Sequence, residues 1–150
     1  MRYDKAEKFY QLAKFQAQLF SKDPHRKVGA LFIDPNSYVI RAQGYNGFCR
    51  GVDETRASRW ERPQKYKFVC HAEANGIYNA CRDGVRLDGS TIVVTLFPCL
   101  ECAKGLIQAG VHSVVAPKPD LEDLRWGQQF RDALDMFEEV GMKIVYVDES

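Results

Sequence analysis

The chain has no apolar run approaching the ~20 residues that a membrane-spanning helix requires. Its first residues, Met1 to Lys8, carry charges where a secretory leader would carry an apolar stretch. The expectation is a soluble, cytoplasmic protein without a membrane partner. Linker-like stretches, tandem repeats and low-complexity runs are also missing, so the 150 residues are read as one domain, 1–150, around one core. No block of five like charges occurs: 21 basic and 20 acidic side chains are interspersed, for a net charge of +1. A nucleic-acid polymer needs a concentrated basic face to neutralise many phosphates, so a polymer partner is disfavoured, whereas a small anionic ligand is not. Cysteine is present five times, but a chain of this length without a secretory leader has little use for a disulfide framework. All five are read as reduced.

Against this background two fragments stand out, His71-Ala72-Glu73 and Pro98-Cys99-Leu100-Glu101-Cys102, with 24 residues between them. Cys99 and Cys102 are three apart in the first turn of an expected helix. They therefore point to one side, where the helix N-terminus favours their thiolates. His71 adds a nitrogen ligand. Three strong ligands suit Zn2+ and leave its fourth tetrahedral position for a water, which zinc acidifies to a pKa of about 7. Glu73 is the candidate catalytic residue, near enough to His71 to take a proton from that water and pass protons on without ligating the metal. The alternative is a closed structural knot with Cys49, Cys70 or Cys81 as fourth ligand. Cys70 adjoins His71, which hinders it from reaching the same ion, and a knot gives Glu73 no task.

The remaining pattern is that of an α/β domain. Phe9, Leu12, Ala13, Leu19 and Phe20 recur at helical spacing, and Asp4 with Glu7 resembles a capping box, so the first helix is expected over 4–21. Strands are expected over 28–33 and 38–44, forming a hairpin about Asp34-Pro35-Asn36, followed by a long polar loop over 45–67. His71 opens a helix that Gly84 stops, 91–96 is a strand, Cys99 opens a helix capped by Gly110, and 111–115 is a strand. A last helix ends at Gly141 and a last strand covers 143–147. This alternation implies parallel strands joined to the hairpin in one mixed sheet, with helices on both faces.

With these residues in hand the chain resembles the deoxycytidylate (dCMP) deaminase branch of the cytidine deaminase superfamily. His-x-Glu followed by Pro-Cys-x-x-Cys is the signature of zinc nucleobase deaminases. Asp23-Pro24, Lys27-Val28-Gly29-Ala30, Gly44-Tyr45-Asn46-Gly47 and Ile107-Gln108-Ala109-Gly110 extend the likeness over 23–110, and the last two lean toward the deoxycytidylate branch. The resemblance implies a three-layer α/β/α cytidine-deaminase-like fold with a mixed five-stranded sheet. It implies zinc-dependent hydrolysis of a cytosine deoxynucleotide, dCMP to dUMP plus ammonia, and a homo-oligomer whose neighbouring loops complete each pocket. It further implies that Asn46 contacts sugar or base and that the Ala72 backbone meets the pyrimidine edge. Arg50 is the candidate for a 5′-phosphate. Trp126 is the candidate for closing the pocket, with plain packing as its alternative. Cys49 departs from the family's usual Pro, and 117–127 lacks the family's substrate-side Tyr. Another base, nucleoside or nucleotide therefore stays open as substrate, as does a non-catalytic zinc-stabilised binding module. Ligands for the second, structural zinc of some family members are not discernible.

Overall fold

The structure, a computed structural model, describes residues 1–149. Helix α1 (Tyr3–Phe20) leads into strands β1 (Gly29–Ile33) and β2 (Ile40–Tyr45). A two-residue strand β3 (Gly47–Phe48), a 3-10 turn at Ala57–Trp60, the short helix α2 (Lys65–Phe68) and strand β4 (Val69–Cys70) follow. The second half runs α3 (Ala72–Asp83), β5 (Thr91–Val94), α4 (Leu100–Gln108), β6 (Ser113–Pro117), α5 (Gly127–Glu139) and β7 (Lys143–Val147). Five strands form the main sheet in the order β2-β1-β5-β6-β7. β1 is antiparallel to both β2 and β5, while β5, β6 and β7 are parallel. The mixed five-stranded sheet is as expected, because the hairpin needs no crossover and the two later strand pairs each have a helix to make one.

Alternation along the strands divides the core into two layers. Ala30, Phe32, Ile92, Val94 and Val114 pack toward α3, α4 and α5, where they meet Ala80, Leu106 and Phe137. Leu31, Ile33, Val93 and Val115 point the other way, to Ala6, Tyr10 and Ala13 of α1. The result is a three-layer α/β/α domain with one helix on one face and three on the other. Helices α3, α4 and α5 all end in the same closure. In each, the residue after a glycine bonds back to a carbonyl five residues earlier: Val85 to Ala80, Val111 to Leu106, and Met142 to Phe137.

Several boundaries move for physical reasons. α1 begins at Tyr3 with no side-chain cap, and Asp4 pairs with Arg2 instead of closing a capping box with Glu7. Val111 is not in β6 because its N–H is used by the α4 closure, 3.1 Å from Leu106 O. The expected loop over 45–67 is ordered. Within it β3 pairs with β4, just beyond the loop, in a ribbon two residues long per strand, too short to show any alternation. It is held by Phe48, whose ring stacks on Trp60 at 4.2 Å and 13° and also meets Phe68. No helix among the described residues is long and apolar enough to cross a membrane.

One close approach positions the site. A Cβ on Gly44 would lie 2.3 Å from Ala72 O and 2.4 Å from Gly76 N, and one on Gly76 would lie 2.3 Å from the Phe32 ring. Strand β2 and helix α3 thus touch through bare backbone, which brings the start of α3 down to the sheet. Gly44→Ala is expected to push α3 off β2 at a cost of about 1–3 kcal/mol, read as a lower urea midpoint with unchanged slope.

Candidate metal centre and its cavity

The start of α3 and the start of α4 converge. His71 is the residue that precedes α3 and Cys99 the one that precedes α4, and Cys102 lies in the first turn of α4. Both sulfurs lie 3.4 Å from His71 Nδ1. Ligand bonds of about 2.0 Å to nitrogen and 2.3 Å to sulfur at a tetrahedral angle place N and S about 3.5 Å apart, so the spacing fits one zinc ion. Among the described residues this is the one group of three such side chains whose ligand atoms lie close enough to share an ion, all within 4.8 Å of one another.

Electrostatics prepare these groups for a cation. The Cys99 thiol is pushed down to about 4, first by its hydrogen bond with Cys102 and then by His71, against the effect of burial. The same bond and burial push the Cys102 thiol up, so the pair readily gives up one proton and holds the other. His71 is raised above its ordinary value by its bond to Cys99, which outweighs its own burial. A thiolate beside an imidazole inclined to be cationic is the charge arrangement that a divalent ion replaces.

Glu73 lies in the first turn of α3, buried at 4% exposure, on the wall of the cavity that also holds His71 and Cys99. Burial pushes its carboxyl up to about 7, opposed by His71 and reinforced by Cys99. A carboxyl balanced near neutrality can both accept and return a proton. None of the proposed fourth ligands reaches the group. Cys70 faces Cys49, with sulfurs 3.5 Å apart, burial being the first cause that pushes the Cys70 thiol up to about 11, and Cys81 is exposed on α3.

Asn46, His71, Ala72, Glu73, Cys99 and Trp126 all line this one cavity. Cys102, the third member of the candidate metal group, is buried and does not line the cavity. The Ala72 N–H, at the first position of α3, has no intrahelical carbonyl to bond. Trp126 lines the cavity, meets the His71 ring edge-on at 6.0 Å and also packs against the core. Asn46 is on the wall, but its amide is fully engaged by the protein. Its Oδ1 accepts from Ser21 Oγ at 2.7 Å and Val28 N at 2.9 Å, and its Nδ2 donates to Asp23 Oδ2 at 3.2 Å and Arg26 O at 2.9 Å. Arg50 requires a correction. It points away from the cavity, across the outer side of the sheet edge, and donates to Asn79 Oδ1. Arg50 stands in the turn two residues beyond β3, a placement that sequence proximity to Asn46 alone does not reveal.

The structure adds residues that the motif reading passed over. Arg26, Arg62 and Lys65 bring cationic side chains to the cavity, and Tyr66 adds an aromatic wall. Arg125 lies 3.4 Å over the Tyr66 ring, and Tyr66 meets Trp126 edge-on. Lys65 is buried and donates to both Asp23 oxygens, at 2.9 and 3.1 Å. Burial raises the Asp23 carboxyl, but the amides of His25 and Arg26 and the Lys65 ammonium outweigh it and hold it below the usual carboxylate range. A lysine on a four-residue helix gives no periodic sign of burial. The available signal was the Asp-Pro turn at 23–24, whose carboxylate needs a partner. Lys65→Met is expected to strand the Asp23 charge and cost about 3–5 kcal/mol, whereas Asp23→Asn combined with Lys65→Met recovers much of that loss. Chemical denaturation of the three variants measures it.

Comparison with known proteins agrees with this geometry. The family description "cytidine and deoxycytidylate deaminase zinc-binding region" matches residues 3–118. The uncharacterized deaminase in the luxG 3′ region of Aliivibrio fischeri is 38% identical over 143 residues, covering 95% of this chain and 92% of that protein. Human deoxycytidylate deaminase is 38% identical over 114 residues, covering 73% of this chain and 62% of the longer human protein. The crystal structure of dCMP deaminase from cyanophage S-TIM5, in complex with dCMP and dUMP, superposes with a TM-score of 0.77 at 26% identity, over 98% of this chain and 99% of that one. Arrived at from the convergence of two helix starts and from sequence likeness alike, the conclusion is that this chain belongs to the cytidine and deoxycytidylate deaminase family.

Proposed function

We propose that the chain hydrolyses a cytosine deoxynucleotide, dCMP, to dUMP and ammonia. The observation that carries the reading is one cavity lined by Glu73, His71 and Cys99 of the candidate metal group, with Arg26 and Arg62 on the same lining. Glu73 and the metal group suit attack at C4 of the ring, and the two guanidinium groups suit a phosphate monoester at the other end of the same molecule. Zinc, held by His71, Cys99 and Cys102, supplies a Lewis acid that makes water acidic enough to act at neutral pH.

The chain's own residues do the rest. Glu73 accepts one proton from the attacking water and delivers it to ring N3, then carries the water's second proton to the departing amino group. The water oxygen thus becomes the 4-oxo group, the C4–N bond breaks, and both protons are accounted for in N3–H and ammonia. The free N–H of Ala72 offers a donor for the pyrimidine edge, and Trp126 with Tyr66 screens the ring from water. Asn46 acts through its frame, fixing the wall between Ser21, Asp23 and Val28 against which the sugar rests. A homo-oligomer in the cytoplasm, with nucleotide as the small-molecule partner, is the setting this reading implies.

Glu73→Gln is expected to lower kcat by at least about 10³-fold while metal analysis still finds one zinc per chain. Retained turnover would overturn the mechanism. Incubation of the zinc protein with bases, nucleosides and nucleotides, followed by ammonia release, tests the substrate. dCMP is expected to be the best substrate. Arg26→Ala and Arg62→Ala are each expected to raise KM for dCMP by about tenfold while leaving deoxycytidine turnover unchanged. Preference for a purine nucleotide or a free base would overturn the substrate reading.

A further inference from the structure

We propose that Cys49 and Cys70 form an oxidative modification site, a dithiol that closes reversibly to an intrachain disulfide on meeting a low-molecular-weight disulfide such as oxidised glutathione. Their sulfurs lie 3.5 Å apart across the ribbon of β3 and β4, in which Gly47 pairs with Cys70 and Phe48 with Val69. A disulfide holds its sulfurs at about 2.05 Å, so closure asks for about 1.5 Å of travel shared between two side chains.

Access differs between the two in a useful way. Cys49 is exposed and Cys70 is half-buried, so an incoming reagent reaches Cys49 first. Cys49 also lies on the wall of a second cavity with Lys22, Phe48 and Trp60, which gives a bulky disulfide room to approach. The thiolate of Cys49 attacks one sulfur of the reagent and bonds to it as a mixed disulfide, the reagent's S–S bond breaks, and its other half leaves as the first free thiol. Cys70 then attacks the Cys49 sulfur and expels the second thiol. Two cysteine thiols are oxidised, one external disulfide is reduced to two thiols, and the two protons lost by the cysteines appear on the products. The other cysteines stay out of the reaction: Cys99 and Cys102 face His71, and Cys81 stands apart on α3.

Position gives the modification its consequence. Asn46 immediately precedes β3, and His71 immediately follows Cys70. The bond therefore ties together two segments whose neighbours Asn46 and His71 both line the proposed active cavity, and it draws on the residue next to a proposed metal ligand. Displacements of the order of 1 Å at such supports cost up to about 10²-fold in rate. In a reducing cytosol the pair rests as thiols, and oxidation lowers turnover.

The test treats the zinc-loaded full chain with increasing oxidised glutathione, blocks free thiols by alkylation, and reads intact mass, peptide linkage, zinc content and turnover. The expected product has a Cys49–Cys70 link, a mass lower by about 2 Da, unchanged zinc and about tenfold lower turnover, all reversed by a thiol reductant. Cys49→Ser is expected to keep the reduced-state activity and to show neither the link nor the loss. Alkylation of both cysteines at excess oxidant, a persistent glutathione adduct on Cys49, or a link between a different pair overturns the site. A clean Cys49–Cys70 link with unaltered turnover overturns its control of the reaction. Linkage and zinc content are read without substrate, so a wrong substrate assignment leaves this test intact.

Discussion

Everything in the cavity depends on two helices beginning at the same point. α4 starts there because β5 is a central strand, and the chain leaving its carboxyl end turns directly into Cys99. α3 starts there because Gly44 and Gly76 let it lie against β2 and Phe32 without intervening side chains. Unpaired N–H groups and the positive ends of both helices thereby face the two sulfurs, where they favour thiolate. The same field acts on Glu73, and here magnitudes decide. A helix end contributes about 0.3–1 kcal/mol, less than one pKa unit, whereas full burial moves a carboxyl by up to about 3–5 units. Burial wins, and Glu73 is raised to about 7 while Cys99 falls to about 4.

The wall opposite the metal group is polar and just as constrained. Asp23 receives Lys65, Asn46 and two backbone amides, and Asn46 is in turn saturated by Ser21, Val28 and Arg26. A buried ion pair of this kind offsets its own desolvation only when each remaining lone pair and proton is satisfied, as it is for the Asp23 carboxylate. It contributes specificity of arrangement more than net stability. Gln16 shows the contrast: its amide nitrogen bonds Gly44 O at 2.7 Å while its buried Oε1 has no partner among the described residues.

Much of this was legible in the amino-acid sequence. The grouping of His71, Cys99 and Cys102 beside Glu73 was readable because the chemistry expected of them demands particular side chains at short spacing, and the stop glycines 84, 110 and 141 because helix closure demands a left-handed residue. The strands of the second half were readable from β-branched runs. What escaped was non-local. Lys65 is buried by a partner 42 residues away, and Arg26 reaches the cavity from the turn after α1. Arg50 misled for the converse reason, since four residues beyond Asn46 the ribbon has already carried it to the outer surface. The ribbon itself escaped because its order comes from the Phe48–Trp60 stack and not from strand periodicity.

The bonds around Asn46 also bear on how the molecule reaches its native state. They join residues separated by 18, 20, 23 and 25 positions, and the Lys65–Asp23 pair spans 42. None can form by local closure of a turn, and each loses its worth if a neighbour is missing. The hairpin and α3 can condense through nearby apolar contacts, whereas this wall needs the turn after α1, the end of β2 and α2 to arrive together. The wall is thus cooperative within itself but rests on polar bonds at the rim, whereas β1 and β5, though they pair residues as distant as Ala30 and Val94, are held by buried apolar side chains on both faces. Amide protons along this wall should therefore exchange in a sub-global opening, ahead of those in β1 and β5, so that this end of the cavity loosens while the core remains folded.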